Sequence, residues 1–325
     1  MNSGHRTAPP PRSPRTGALL AAVLAGCIIA AGGIYVVSHD SWTPRDATAA
    51  SEESAPPAEA HQPLAKTVPP NASRLPPTSE LAPAPADLAS SFDLVAASIG
   101  GNAGISMAAV GGSTNPLRFG EWTTGPAWST SKVPVVLAAL REQGAVSGSM
   151  NAAITQSDND AAEQVWASLG DPASAKAKVE QVLRDAGDPT TVQSERVRPG
   201  FTAFGQTQWS LTDQALFLSN ASCDPRSAQV FDLMGRIEPD QSWGLGRLPG
   251  AEFKGGWGPS ESGAYLVRQF GVIPTPAGLV AVAVAVEPNS GSFSQGTQAL
   301  DTIANWLLSH LNELPAGSCH DTSPR

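Results

Sequence analysis

The segment Trp128–Leu140 reads WSTSKVPVVLAAL. It is apolar enough for a core helix, yet its first turn carries three hydroxyls, Ser129, Thr130 and Ser131, and a lysine, Lys132. A helix beginning at Ser129 puts Lys132 three residues on, one turn away and on the same face. Pro134 suits a helix start better than a helix interior. Ser129 then lies at the positive end of the helix dipole, where developing negative charge is favoured. Burial lowers a lysine's pKa because desolvation disfavours the charged form, and a neutral Lys132 is a base for the Ser129 hydroxyl. The plainer reading is a serine N-cap followed by a lysine whose ammonium reaches solvent. An isolated Ser-x-x-Lys leaves both open.

Composition narrows the chemistry. The chain has 325 residues, 41% of them hydrophobic and 15% charged, and a net charge of −9. An acidic chain lacks the basic face that neutralises phosphates, so nucleic acid is excluded as a partner. The cysteines are Cys27, Cys223 and Cys319, with no Cys-x-x-Cys or Cys/His spacing for a metal. The histidines are His5, His39, His61, His310 and His320, and none lies between residues 62 and 309. A hydrolase whose serine or cysteine depends on an imidazole is therefore ruled out, and any nucleophile here needs another base.

The first 85 residues read as an anchor and a stalk. Gly17–Val37 (GALLAAVLAGCIIAAGGIYVV) has no charge over 21 residues, close to the roughly 20 that cross a bilayer core as a helix. Arg6, Arg12 and Arg15 precede it, while Asp40, Asp46, Glu52 and Glu53 follow with only Arg45 among them. This bias predicts a cytoplasmic tail over 1–16, a signal-anchor helix over 17–38 and everything later outside the cytoplasm. A cleaved signal peptide is the rival, though its apolar region is shorter. A second rival is a lipoprotein: Leu24-Ala25-Gly26-Cys27 resembles a bacterial lipobox, but Ile28–Val37 stays apolar where a lipoprotein turns polar. Residues 39–85 are rich in Pro, Ala, Ser and Glu, a composition that forms an extended stalk rather than a core.

Residues 86–314 carry the folding pattern, with 315–325 as a tail. Leu88, Phe92, Val95 and Ala96 suit one helix face. Ile105–Val110 and Leu117–Trp122 are strand candidates around the turn signal GGSTNP. Helices are expected over 130–143, 159–169, 173–186, 211–221 and 226–235. Three strands follow, Glu252–Lys254, Tyr265–Val272 and Leu279–Val286. The last is apolar on both faces, hence buried between layers, with Ala281, Ala283 and Ala285 forming a flat side for helix packing. The final helix carries a stripe of Leu300, Ile303, Ala304, Leu307, Leu308 and Leu311. The order is helix, two strands, helical block, three strands, helix: an α/β arrangement whose strands join into one antiparallel sheet. Cys223 ends a helix and Cys319 follows the last one; both fall outside the membrane, and a disulfide between them is expected.

The lysine motif has company. Ser157-Asp158-Asn159 opens the next helical block, 28 residues after Ser129, and Lys254-Gly255-Gly256-Trp257 ends a strand 97 residues further on. The ordered set Ser-x-x-Lys, Ser-Asp-Asn, Lys-[Thr/Ser]-Gly marks the serine β-lactamase and penicillin-binding protein superfamily. This chain resembles that family over about residues 86–312, nearest to class A β-lactamases. The resemblance implies a β-lactamase/transpeptidase-like fold, with an antiparallel sheet flanked by N- and C-terminal helices plus a helical subdomain. It implies Ser129 as nucleophile, Lys132 as its base or proton relay, and Ser157 as the hydroxyl that passes a proton to the leaving nitrogen. Asn159 would bind the substrate's acyl-amide side chain and orient Lys132, and Lys254 would bind the substrate carboxylate and set the field around Ser157. Gly256 and Trp257 would line the substrate strand, with the backbone N–H groups of Ser129 and Trp257 as the oxyanion hole. No metal or cofactor is implied. Asp158 caps the turn.

Three departures bear on function. The stretch between the first two motifs is much shorter than in class A enzymes, which opens the site. Aligned on Arg and Pro in Arg196-Val197-Arg198-Pro199, the position of the deacylating glutamate is Arg198, with Glu195 three residues upstream. Gly255 lacks the hydroxyl that many relatives place beside the substrate carboxylate. Trp128 and Trp257 flank the nucleophile and the strand, either as cleft walls or as core. The leading expectation is an extracytoplasmic serine acyl-transfer enzyme of the penicillin-recognising type acting on a cell-wall peptide or a related amide or ester, with weak or no β-lactam turnover. A degenerate module that binds cell-wall peptide or a protein without turnover, and a true β-lactamase, are the alternatives.

Overall fold

The longest antiparallel ladder sets the architecture. The computed structural model describes residues 85–112 and 115–319. The strands are β1 (Gly101–Ala109), β2 (Leu117–Gly120), β3 (Thr124–Pro126), β4 (Gln208–Ser210), β5 (Glu252–Pro259), β6 (Tyr265–Thr275) and β7 (Gly278–Pro288). Five of them form one sheet in the order β2-β1-β7-β6-β5, and every neighbouring pair is antiparallel. The N- and C-terminal strand groups therefore join, with β7 in the centre as its doubly apolar sequence requires. β3 and β4 pair separately.

Alternation along β7 sorts the two layers. Val280, Val282, Val284 and Val286 pack with α1 (Pro85–Ile99) and α8 (Phe293–Ser309). Ala281, Ala283 and Ala285 face the other way, into the core shared with the helical block. That block comprises α2 (Lys132–Gln143), α3 (Gly148–Thr155), α4 (Asn159–Ser168), α5 (Pro172–Asp185), α6 (Leu211–Ala221) and α7 (Ala228–Met234). Small side chains on this face let α6 lie close against β7. On α8 the stripe Leu300, Ile303, Ala304 and Leu307 is buried as expected, whereas Leu308 is 38% exposed.

The chain after α8 stays attached to the sheet. Gly317 exchanges two backbone hydrogen bonds with Leu279, and Cys319 is disulfide-bonded to Cys223 just beyond α6, with the Cα atoms 5.2 Å apart. The cytoplasmic tail over 1–16, the anchor over 17–38, Cys27 and all but the last residue of the 39–85 stalk lie outside the described residues. Among the described residues no helix is long and apolar enough to cross a membrane.

Candidate active site

The turn carrying Ser129 differs from the helix start expected of it. Trp128 has φ +49°, a left-handed conformation that a tryptophan adopts only under constraint. One 3-10 turn follows, Trp128–Ser131, and α2 begins at Lys132 rather than at Ser129. The hydroxyls explain the difference: Thr130 Oγ1 donates to the Ala127 carbonyl and Ser131 Oγ to the Trp128 carbonyl, both at 2.6 Å, which closes a tighter turn. With three residues per turn, positions 129 and 132 stay aligned.

Buried polar side chains hold this turn from behind. Arg268 on β6, fully buried, donates to the carbonyls of Gly125, Pro126 and Trp209 and to Gln214 Oε1. Gln214 in turn donates to Thr130 Oγ1 at 2.9 Å. On the open side, β5 presses against the turn at Gly256. A Cβ on Gly256 would lie 2.9 Å from both the Ala127 oxygen and the Ser129 nitrogen, so the strand can come this close only without a side chain. One sequence signal for Arg268 existed: it is the lone charge in the strand segment YLVRQFGV.

The structure brings Lys132, Ser157, Asn159 and Lys254 together. Lys132 is 1% exposed, and its Nζ donates to the Ser157 carbonyl, to Asn159 Oδ1 at 2.8 Å and to Ser157 Oγ at 3.3 Å. Desolvation lowers its pKa to about 7, against a partial opposing pull from Asp158. Lys254, fully buried, donates to Ser157 Oγ at 2.9 Å and to the Gly255 carbonyl. Burial, and then the charge of Lys132, push its pKa well down. Ser157 holds both lysines while itself strained at φ +58°. Asp158 caps α4 by accepting from the Ala161 N–H, the structural part expected of it. Lys254 is fully buried, so its ammonium reaches Ser157 Oγ rather than open space.

A cleft of about 340 Å³ opens in front of Ser129, with Asn159 and Trp257 in its walls. The sequence left Trp128 and Trp257 between wall and core, and each is partly both. Trp128 is 6% exposed and stacks edge-on with Phe201, yet borders the cleft. Trp257 is half-buried against Trp243 and Phe293 and borders it too. Trp243 also bounds the space beside Gly255, where a Cβ would come within 3.2 Å of its ring. The irregular segment 187–207 forms the opposite wall. There Arg198 turns toward the end of β5, donating to the carbonyls of Pro259 and Ser260, with its guanidinium 4.7 Å from the centre of the Phe201 ring. Glu195 is exposed and does not border the cleft. Glu163, which the sequence did not single out, and Arg196, which served there only to align the loop, do border it.

No family model and no curated protein matches the sequence. Solved structures do match. The extended-spectrum β-lactamase TLA-3 superposes with a TM-score of 0.55 at 14% identity, over 69% of this chain and 100% of that one. A β-lactamase from Chitinophaga pinensis DSM 2588 gives a TM-score of 0.56 at 15% identity, over 69% and 99%. A β-lactamase from Sphaerobacter thermophilus DSM 20745 gives 0.51 at 20% identity, over 68% and 96%. The chain has the serine β-lactamase-like fold, as the three motifs implied.

Proposed function

We propose that this domain is a serine acyl-transfer enzyme of the penicillin-recognising type, acting outside the cytoplasm on a cell-wall peptide or a related amide or ester. The observation that carries this reading is Lys132: a buried lysine with a pKa of about 7, one 3-10 turn from a cleft-facing serine. As an ammonium, its three protons match the three acceptors around it, the Ser157 carbonyl, Ser157 Oγ and Asn159 Oδ1. As a neutral amine it has two protons and a lone pair, and the lone pair can take the proton of Ser129. Ser129 Oγ then adds to the substrate carbonyl. The backbone N–H groups of Ser129 and Trp257 receive the oxyanion. Ser157, polarised by Lys254, passes a proton to the leaving nitrogen, and Lys254 acts through Ser157 rather than on the substrate directly. Arg198, held on Pro259 and Ser260, offers no base for water, and a guanidinium does not accept a proton near neutral pH. The acyl-enzyme is therefore long-lived and β-lactam turnover weak.

Placement outside the cytoplasm rests on the charge bias around residues 17–38. The Cys223–Cys319 bond supports it, because such bonds persist in oxidising compartments. The test is intact-protein mass spectrometry after incubation with a penicillin and with activated esters. A stable adduct should form on wild type and not on Ser129→Ala. A second reading, a module that binds without turnover, is favoured by Arg198 and Gly255. It takes over if wild type stays unmodified by every probe or if Ser129→Ala is modified equally.

A further inference from the structure

The cleft carries two carboxylates that these steps leave unused, Asp160 and Glu163, both on α4. Glu163 lies four residues after Asn159, so it rises from the same helix face one turn further along. Asp160, one residue after Asn159, is turned about 100° round the helix and is exposed. Glu163 Oε1 meets Arg196 Nη2 at 2.8 Å, and Arg196 belongs to the facing wall, the 187–207 segment. Both residues of the pair border the cleft that Ser129 also borders. Arg198, at the place where the loop would supply a base, is held elsewhere by Pro259 and Ser260.

We propose that Glu163 is the general base for deacylation of Ser129 and that Arg196 restrains it. This rests on the acyl-transfer reading above. In the step, the Glu163 carboxylate takes one proton from a water molecule while the water oxygen bonds to the acyl carbon. The tetrahedral intermediate then collapses and its bond to Ser129 Oγ breaks. The proton held by Glu163 returns to that oxygen, which releases a carboxylic acid and regenerates the serine. While Arg196 occupies the carboxylate, Glu163 is engaged and the adduct persists. A helix-borne base restrained by the loop replaces the loop-borne base that Arg198 cannot be.

The plainer role of the pair is to tie the loop to α4, and the experiment separates the two. Full-length protein is acylated with benzylpenicillin or p-nitrophenyl acetate, excess probe is removed, and loss of the adduct is followed by intact mass spectrometry. Arg196→Gln should shorten the adduct's lifetime by on the order of tenfold or more, as freed general-base catalysis does. Glu163→Gln should lengthen it, and the double variant should decay no faster than Glu163→Gln alone. If the double variant keeps the acceleration, loop release rather than a base is responsible and the proposal fails. It also fails if Glu163→Gln decays like wild type. Absence of any adduct in every variant would instead remove the acyl-transfer reading, and this proposal with it. Both side chains are partly exposed, at 31% and 56%, so the substitutions leave the core untouched.

Discussion

A lysine in water keeps its proton until about pH 10.4; Lys132 gives it up near pH 7 because burial disfavours the ammonium. Below that pH the amine has no lone pair to offer Ser129. Acylation should therefore rise with pH, half-maximal near 7, and then level off, which stopped-flow labelling between pH 5 and 9 would show. A flat profile would remove Lys132 as the base. Lys132→Ala should slow labelling by roughly 10²–10⁴-fold. The same shift acts on stability. Between about 7 and 10.5 the unfolded chain holds a proton that the folded one does not, so this group's contribution becomes more favourable as pH rises through that window. Gly256 supplies a second test. Its Cβ would sit 2.9 Å from the Ser129 nitrogen, so Gly256→Ala must push the strand off the nucleophile's turn and should abolish labelling while the protein still folds. At this scale the sequence was informative where chemistry leaves a spaced pattern, as with Ser129, Lys132, Ser157, Asn159 and Lys254. The left-handed φ of Trp128 and Ser157 left no trace, because that strain is imposed by surroundings rather than by residue type.

Among the elements, the irregular segment 187–207 is held by groups that hydrophobic periodicity cannot reveal. Gln206 accepts from the Arg198 N–H and donates to carbonyls of the same loop. Asp188, fully buried, accepts from the Thr190 N–H and from Trp209 Nε1 at 2.7 Å. Desolvation raises the Asp188 pKa to about 6, with a small further push from Asp213. The folded state then binds more protons than the unfolded one between about pH 4 and 6, so stability from this group falls as pH rises through that window and stays reduced above it. Asp188→Asn keeps an acceptor for Trp209 and loses the titration. Urea unfolding of wild type and Asp188→Asn from pH 4 to 7 should show the variant gaining on wild type as pH rises; a constant difference would contradict the buried-carboxyl account. Short elements escaped the sequence for a related reason. α3, eight residues of GSMNAAIT, is started by the Ser147 cap, and β3 and β4 are three residues each, stitched by Arg268 to the sheet beside them. The long amphipathic or doubly apolar segments, α8 and β7 above all, were legible because burial fixes their period.

For the folded unit as a whole, the sheet is assembled from the two ends of the chain. β1 and β2 come from the N-terminal side, β5, β6 and β7 from the C-terminal side, and the helical block lies between them in sequence. Such a fold closes a long loop before its central strands meet, and the loss of chain entropy on closure opposes it. The Cys223–Cys319 bond, spanning 96 residues, removes part of that entropy from the unfolded chain in advance. Loop-closure reasoning gives it about 4–5 kcal/mol at this length, with measured bonds running nearer 2–4. At about 2–4 °C per kcal/mol for a domain of this size, the measured range corresponds to roughly 4–16 °C in melting temperature. The bond also secures the end of the chain locally, since Gly317 is hydrogen-bonded to Leu279 only two residues before Cys319. Cys223→Ser with Cys319→Ser, or the wild type under reductant, should melt lower by that amount. Each should also become open to carboxypeptidase trimming at the Gly317 bridge before global unfolding. If trimming appears with no change in melting temperature, the bond serves only to hold the terminus. If neither changes, the Gly317–Leu279 bridge and α8 already fix the C-terminal end, and the disulfide adds nothing to the fold.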